Sequence, residues 1–209
     1  MIEIKNLYKN FSSLPVLSSL SFKIPQESIW ILYGPNGTGK TTLLKILTGL
    51  ILPNQGTITY TALNPKTDLS FSPCTDHGFY PQLSGKENLE FFAALFQLSS
   101  AAFTAYLDEL SAYLMPDDLS KPYQTYSSGM KQKLSIIRAF LKPAEVFLLD
   151  EPTRNLDSKS TEGLLRLIQN YQKKQKTFIT ATHQKELFDS LATHTLELPS
   201  GQINSMRTA

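Results

Sequence analysis

The stretch "GPNGTGKTT", residues 34–42, limits what this chain can fold into more than any other. It follows the short apolar run "SIWILY" at residues 28–33 and precedes Leu43, Leu44, Ile46 and Leu47, which share one side of a helix that Gly49 stops. An uninterrupted apolar run of that length is how a strand covered on both faces reads. The pattern predicts strand, loop and helix, and the loop satisfies G-x-x-x-x-G-K-[ST] through Gly34, Gly39, Lys40 and Thr41. In that context Gly34, Pro35, Asn36, Gly37, Thr38, Gly39, Lys40, Thr41 and Thr42 are expected to cradle phosphate. Backbone N–H groups point into such a loop at the positive end of a helix dipole. Glycines let the backbone approach phosphate oxygens with no Cβ in the way. Lys40 can reach β- and γ-phosphates, and the Thr41 hydroxyl can ligate Mg²⁺. A glycine-rich turn matching by chance would lack the flanking strand and helix.

The rest of the chain supplies the frame. Ile2 and Ile4 alternate with Glu3 and Lys5, and Leu20, Phe22 and Ile24 alternate with Ser21 and Lys23, as in half-buried antiparallel strands. A turn at residues 53–56 leads to a strand at 57–60. Residues 87–96 and 102–114 have helical spacing in Leu89, Phe92, Leu95, Phe103, Leu107, Leu110 and Leu114, and Met115, Pro116, Asp117 and Asp118 end the pair. A further helix over 128–142 places Met130, Leu134, Ile137 and Leu141 on one face, so about 82–142 reads as a helical insertion. "VFLLD" at 146–150 and "TFITATH" at 177–183 are two more buried strands, with a helix near 160–175 between them. A short helix around Leu187 and Leu191 and a hairpin around Gly201 finish the pattern. Buried strands alternating with helices predict an α/β fold. With the phosphate loop, the expected fold is a three-layer P-loop NTPase core with an N-terminal antiparallel β subdomain and an inserted helical subdomain, all in one domain over 1–209.

Composition narrows the function. A formal net charge of +2 makes no electrostatic case for nucleic acid or an acidic membrane surface. Cys74 is the single cysteine, which excludes an internal disulfide and fits a reducing compartment. The start "MIEIKNLYKNF" carries charges at positions 3, 5 and 9 and is no signal peptide. The uncharged stretch 46–65 is broken by Pro53-Asn54-Gln55-Gly56, so no membrane span is expected.

Two carboxylates and a histidine complete a reaction centre. Asp150 and Glu151 stand at the carboxyl end of a buried strand, where open α/β sheets bind ligands. Asp150 can support the Mg²⁺ held by Thr41, and Glu151 can polarise a water at the γ-phosphate. His183 ends another buried strand level with Lys40 and Asp150, whereas His77 and His194 have no such placement and are read as structural or solvated. "YSSGM", residues 126–130, is a second small-residue turn at a helix start, with a serine N-cap as the alternative reading.

With "GPNGTGKTT", "YSSGMKQK", "FLLDEPTRNLD" and "TATH" in this order and spacing, the chain resembles the ATP-binding subunit of an ABC transporter over essentially its whole length. The resemblance implies a head-to-tail dimer with two ATP molecules between the subunits. "YSSGM" looks like the family's signature, usually L-S-G-G-Q, with Tyr126, Ser128 and Met130 as departures. Ser127 and Gly129 are implied to contact the γ-phosphate of ATP held by the opposite subunit. Phe11 is implied to stack on adenine, with Tyr8 the less favoured choice. Asp157 is kept in the loop "TRNLD" that crosses the dimer interface, where Arg154 and Asn155 replace small residues. The glutamine expected ahead of the helical insertion is missing, and Thr75 aligns in its place, followed by Asp76 and the pair Phe79-Tyr80.

The resemblance implies a Mg²⁺-dependent ATPase at the cytoplasmic face of the membrane. Its partners would be polytopic permease subunits encoded separately and a second ATP-binding subunit, in a homo- or heterodimer, with no nucleic acid. The form of the signature and the short C-terminus lean toward export. An ABC ATPase acting as a mechanochemical switch on another complex is the alternative, although such proteins usually carry a coiled-coil insertion or two ATPase halves. A P-loop kinase or GTPase-like switch has no use for the signature or for His183.

Overall fold

The computed structural model describes residues 1–74, 78–114 and 118–205. Thr75, Asp76 and His77, and Met115, Pro116 and Asp117 of the turn expected to end the helix pair, lie outside them.

Two sheets organise the chain. Strands β1 (Ile2–Phe11), β2 (Leu14–Ile24) and β4 (Gln55–Tyr60) form an antiparallel sheet in the order β2-β1-β4. The larger sheet takes β3 (Ile29–Tyr33), β5 (Leu69–Ser72), β6 (Val146–Asp150), β7 (Thr177–Thr182), β8 (His194–Glu197) and β9 (Gln202–Ser205) in the order β5-β6-β7-β3-β8-β9. Its strands run parallel except β9, which closes a hairpin on β8. Five helices join them: α1 (Lys40–Leu47), α2 (Gly85–Leu95), α3 (Ser100–Leu114), α4 (Ser128–Leu141) and α5 (Ser158–Lys173).

Alternate residues of one central strand serve two different cores. In β3, Trp30 and Leu32 join the core under α1 and the antiparallel sheet, while Ile29 and Ile31 join the one under α4 and α5. In β6, Val146 and Leu148 go one way, and Phe147 and Leu149 go the other. Because both faces are dry, these strands are apolar throughout instead of alternating. The side chain of Trp30, 1% exposed, stacks between Phe22 and His194, with centroids 5.4 and 4.7 Å away. His194 thus has a packing role.

The strand β5 departs from the sequence reading, which assigned none there. "LSFS" carries two buried serines, as a loop would. Each is satisfied inside the fold: Ser70 Oγ donates to the Ala139 carbonyl at 2.6 Å, and Ser72 Oγ lies 3.2 Å from Ser135 Oγ. The insertion also packs differently from its simplest helical reading. Leu95, expected on the apolar side of α2, is 59% exposed, and Ala93 takes the buried position. Asn88, fully buried, pins the approach to α2 by accepting from Tyr80 N–H and donating to the Tyr80, Leu83 and Ser84 carbonyls.

Candidate active site

The carboxyl ends of β3, β6 and β7 bring the sequence motifs to one edge of the parallel sheet. Glycine is required twice in the loop after β3. Gly34 has φ 142°, and a Cβ there would lie 2.1 Å from the Leu198 carbonyl oxygen. Gly39 has φ 97°, and a Cβ there would lie 2.7 Å from Leu17 Cδ2. Gly39 is also the N-cap of α1 and offers no side-chain cap, so no capping side chain competes for the first N–H groups of the helix. The Lys40 side chain folds over the loop, donating to the Gly34 and Pro35 carbonyls at 2.7 and 3.0 Å. An open cleft of about 420 Å³ lies over this cradle, lined by Phe11, Val16, Asn36, Gly37, Gly39, Lys40, Thr41, Thr42, Cys74, Glu151 and Arg154. Phe11 is 49% exposed at its rim, a flat apolar face for a purine base.

Thr41 and Asp150 meet as expected of a divalent-cation pair. Thr41 Oγ1 is 2.9 Å from both carboxylate oxygens of Asp150, which is 2% exposed. Burial pushes the Asp150 carboxyl above its ordinary range, the Thr41 hydroxyl opposes this, the charge of Glu151 adds to it and the Cys74 backbone N–H opposes it. A cation restores the ionised form of such a buried carboxyl, and a hydroxyl with a carboxylate is the hard-oxygen set that Mg²⁺ takes. The residues therefore fit both a nucleotide and Mg²⁺.

Glu151 sits in the turn after β6 with φ 47°, its N–H donating to the Ala181 carbonyl at 2.8 Å. A non-glycine residue in the left-handed region stores strain that the surroundings must hold. His183 Nδ1 lies 2.8 Å from Glu151 Oε2 and so holds the carboxylate, although His183 itself is not among the residues lining the cleft. The turn carrying His183 is itself fixed: Gln184 N–H donates to Thr182 Oγ1, and Gln184 Oε1 accepts from Thr153 Oγ1.

Other expected residues fall elsewhere. Ser127 caps α4, its Oγ accepting from Met130 N–H at 3.2 Å. Neither Ser127 nor Gly129 lines the cleft. Gly129 lies against the loop after β6, where a Cβ would be 2.7 Å from the Asn155 carbonyl oxygen. Asp157 is the N-cap of α5, accepting from Ser160 N–H at 2.7 Å, and is likewise away from the cleft. Cys74 and Arg154 are lining residues that sequence reasoning did not place, one read only for disulfides and the other only as a departure. The position of Cys74 just ahead of Thr75 was the available signal.

Against known families, the sequence model described as "ABC transporter" matches residues 17–154, well over half of the chain. The chain belongs to the ABC transporter family. As an ABC-type ATP-binding chain it is an ATPase. The uncharacterized ABC transporter ATP-binding protein YybJ of Bacillus subtilis (strain 168) is 31% identical over 98% of this chain and 95% of its own length. The cytochrome c biogenesis ATP-binding export protein CcmA of Roseobacter denitrificans is 32% identical over 87% of this chain and 84% of its own. A solved dimer of an ATP-binding cassette in a post-hydrolysis state, bound to ADP and Pi, shares the fold with a TM-score of 0.87 at 21% identity, covering 99% of each chain. This ABC cassette has the α/β core, antiparallel subdomain and helical insertion anticipated from its sequence.

Proposed function

We propose that this ABC ATPase closes head-to-tail around two ATP molecules with a second ATP-binding subunit, in the simplest case another copy of itself. We further propose that it drives export through separate membrane subunits at the cytoplasmic face. The dimer is supported by a second small-residue helix start, that of α4, whose Ser127 and Gly129 lie outside the cleft over α1. The α4 start, with Ser127 exposed and Gly129 partly so, is free to serve a nucleotide held by a partner. Export is supported by the similarity to a relative named as an export protein. No described helix is long and apolar enough to cross a membrane. An apolar groove of about 450 Å³ lined by Leu50, Phe71, Phe92, Leu95 and Phe96 suits an apolar segment of a permease.

Within the site, hydrolysis divides among this chain's own groups. The cradle and Lys40 hold the β- and γ-phosphates, neutralising charge as it moves toward the leaving ADP. Thr41 and Asp150 would hold Mg²⁺, which when bound would supply positive charge against the phosphates. Glu151, aimed by His183, orients the attacking water and takes its proton, a step that typically contributes ~10²–10⁴-fold. Water adds to the γ-phosphorus, the bond to the β-phosphate oxygen breaks, and phosphate leaves with that new oxygen.

The test mixes a Lys40→Ala chain with a Ser127→Arg chain, each inactive alone. Their mixed dimer keeps one site with an intact cradle and an intact opposing turn, so partial ATPase recovery is expected. Proven mixed dimers without any recovery would contradict the shared site.

A further inference from the structure

Arg154 has no part in the steps above, yet it lines the cleft with Lys40, Thr41 and Glu151. Its loop is held in place on two sides. Arg154 N–H donates to the Glu151 carbonyl at 3.0 Å, closing a turn directly after β6. Asn155 follows with a left-handed φ of 63°, and its carbonyl abuts Gly129. The Arg154 side chain extends the other way, where Nη1 donates to Cys74 Sγ at 3.2 Å. The Cys74 backbone N–H in turn lies near enough to Asp150 to favour its ionised carboxylate, which accepts from Thr41 Oγ1. A single residue thus separates the guanidinium from the carboxylate assigned to Mg²⁺.

That hydrogen bond is a weak commitment. Thiol sulfur is a poor acceptor, whereas charge-assisted bonds from arginine to phosphate are about twice as strong as neutral ones. Lys40 is buried in the loop, but Arg154 is exposed on the open side of the cleft, next to Glu151. Glu151 and a γ-phosphate are both anionic, and bringing them together calls for a cation beside them.

The geometry points to Arg154 as a second cationic side chain, after Lys40, for the terminal phosphate of ATP bound by the same chain, a binding residue that favours triphosphate over diphosphate. This role rests on the ATPase reading of the cleft. ADP lacks the group that Arg154 meets, so the contribution is specific to ATP.

Mg-ATP and Mg-ADP affinities of the full chain, Arg154→Ala and Arg154→Lys would be measured by equilibrium dialysis, at a concentration where each sediments as a monomer. Arg154→Ala is expected to weaken ATP about tenfold and ADP less than twofold, with Arg154→Lys between it and the parent chain. Equal losses for both nucleotides, or no loss for either, overturn the assignment. So does a loss that emerges only once dimers form, because Arg154 would then act through the partner. A parent chain that binds neither nucleotide refutes the ATPase reading and this role with it.

Discussion

Glu151 satisfies two demands that pull against each other: its backbone is held at φ 47°, and its carboxylate is aimed by His183 at 2.8 Å. If that carboxylate activates water, Glu151→Gln should cut turnover ~10²-fold or more and leave ATP affinity within a few-fold. Single-turnover kinetics beside a binding isotherm separates the two. His183→Ala removes the orienting bond and spares the cradle, so kcat should fall ~10-fold or more with KM for ATP little changed. A rise in KM with kcat intact would make His183 a binding residue. Much of this was legible from sequence, because Lys40, Thr41, Asp150, Glu151 and His183 are named by motif and strand end. Asp157 was named only by the resemblance, and in the single chain it caps α5. Phe79 and Tyr80 looked equivalent in sequence, yet Phe79 stacks on Tyr123 with centroids 4.7 Å apart while Tyr80 is 48% exposed. Of the pair, Tyr80 is the one that offers an exposed face.

Elements were legible where one period dominates. The strands β3 and β6 are largely apolar because two cores claim alternate residues, and that signal survives in sequence. The strand β5 was hidden by serines whose partners, Ala139 and Ser135, are far along the chain on α4. The unusual Tyr126 of the signature turn also has an explanation visible only in three dimensions. It is buried, its hydroxyl donates to the Asp118 carbonyl, and Gly85 makes room for it, since a Cβ there would lie 2.0 Å from the hydroxyl. Gly85→Ala should accordingly destabilise the chain by about 1–3 kcal/mol in urea unfolding. Adding Tyr126→Leu should recover part of that loss, so that the double change costs less than the sum. Additive costs would mean that Gly85 matters for another reason. Asn88→Ala takes the partner from the Tyr80 N–H and one donor each from the Tyr80, Leu83 and Ser84 carbonyls, which keep backbone donors, and should cost about 1–2 kcal/mol by the same measurement.

At the scale of the whole molecule, the two phosphate-competent turns belong to one connected frame. Gln132 on α4 donates to the Pro152 carbonyl at 3.2 Å, tying the signature helix to the turn that carries Glu151. Asn155 abuts Gly129 from the same turn. The turn that carries Glu151 is thereby packed against the surface proposed to meet the partner's nucleotide. That division of labour was readable from sequence only by resemblance, because no periodicity or composition says which copy of a chain a turn serves. The direct measurement is sedimentation of Glu151→Gln with Mg-ATP, together with its bound nucleotide. Slow hydrolysis should trap the closed state, and the prediction is an ATP-dependent dimer carrying two ATP per two chains that dissociates with ADP. A chain that binds ATP fully yet stays monomeric at every concentration would contradict the shared site.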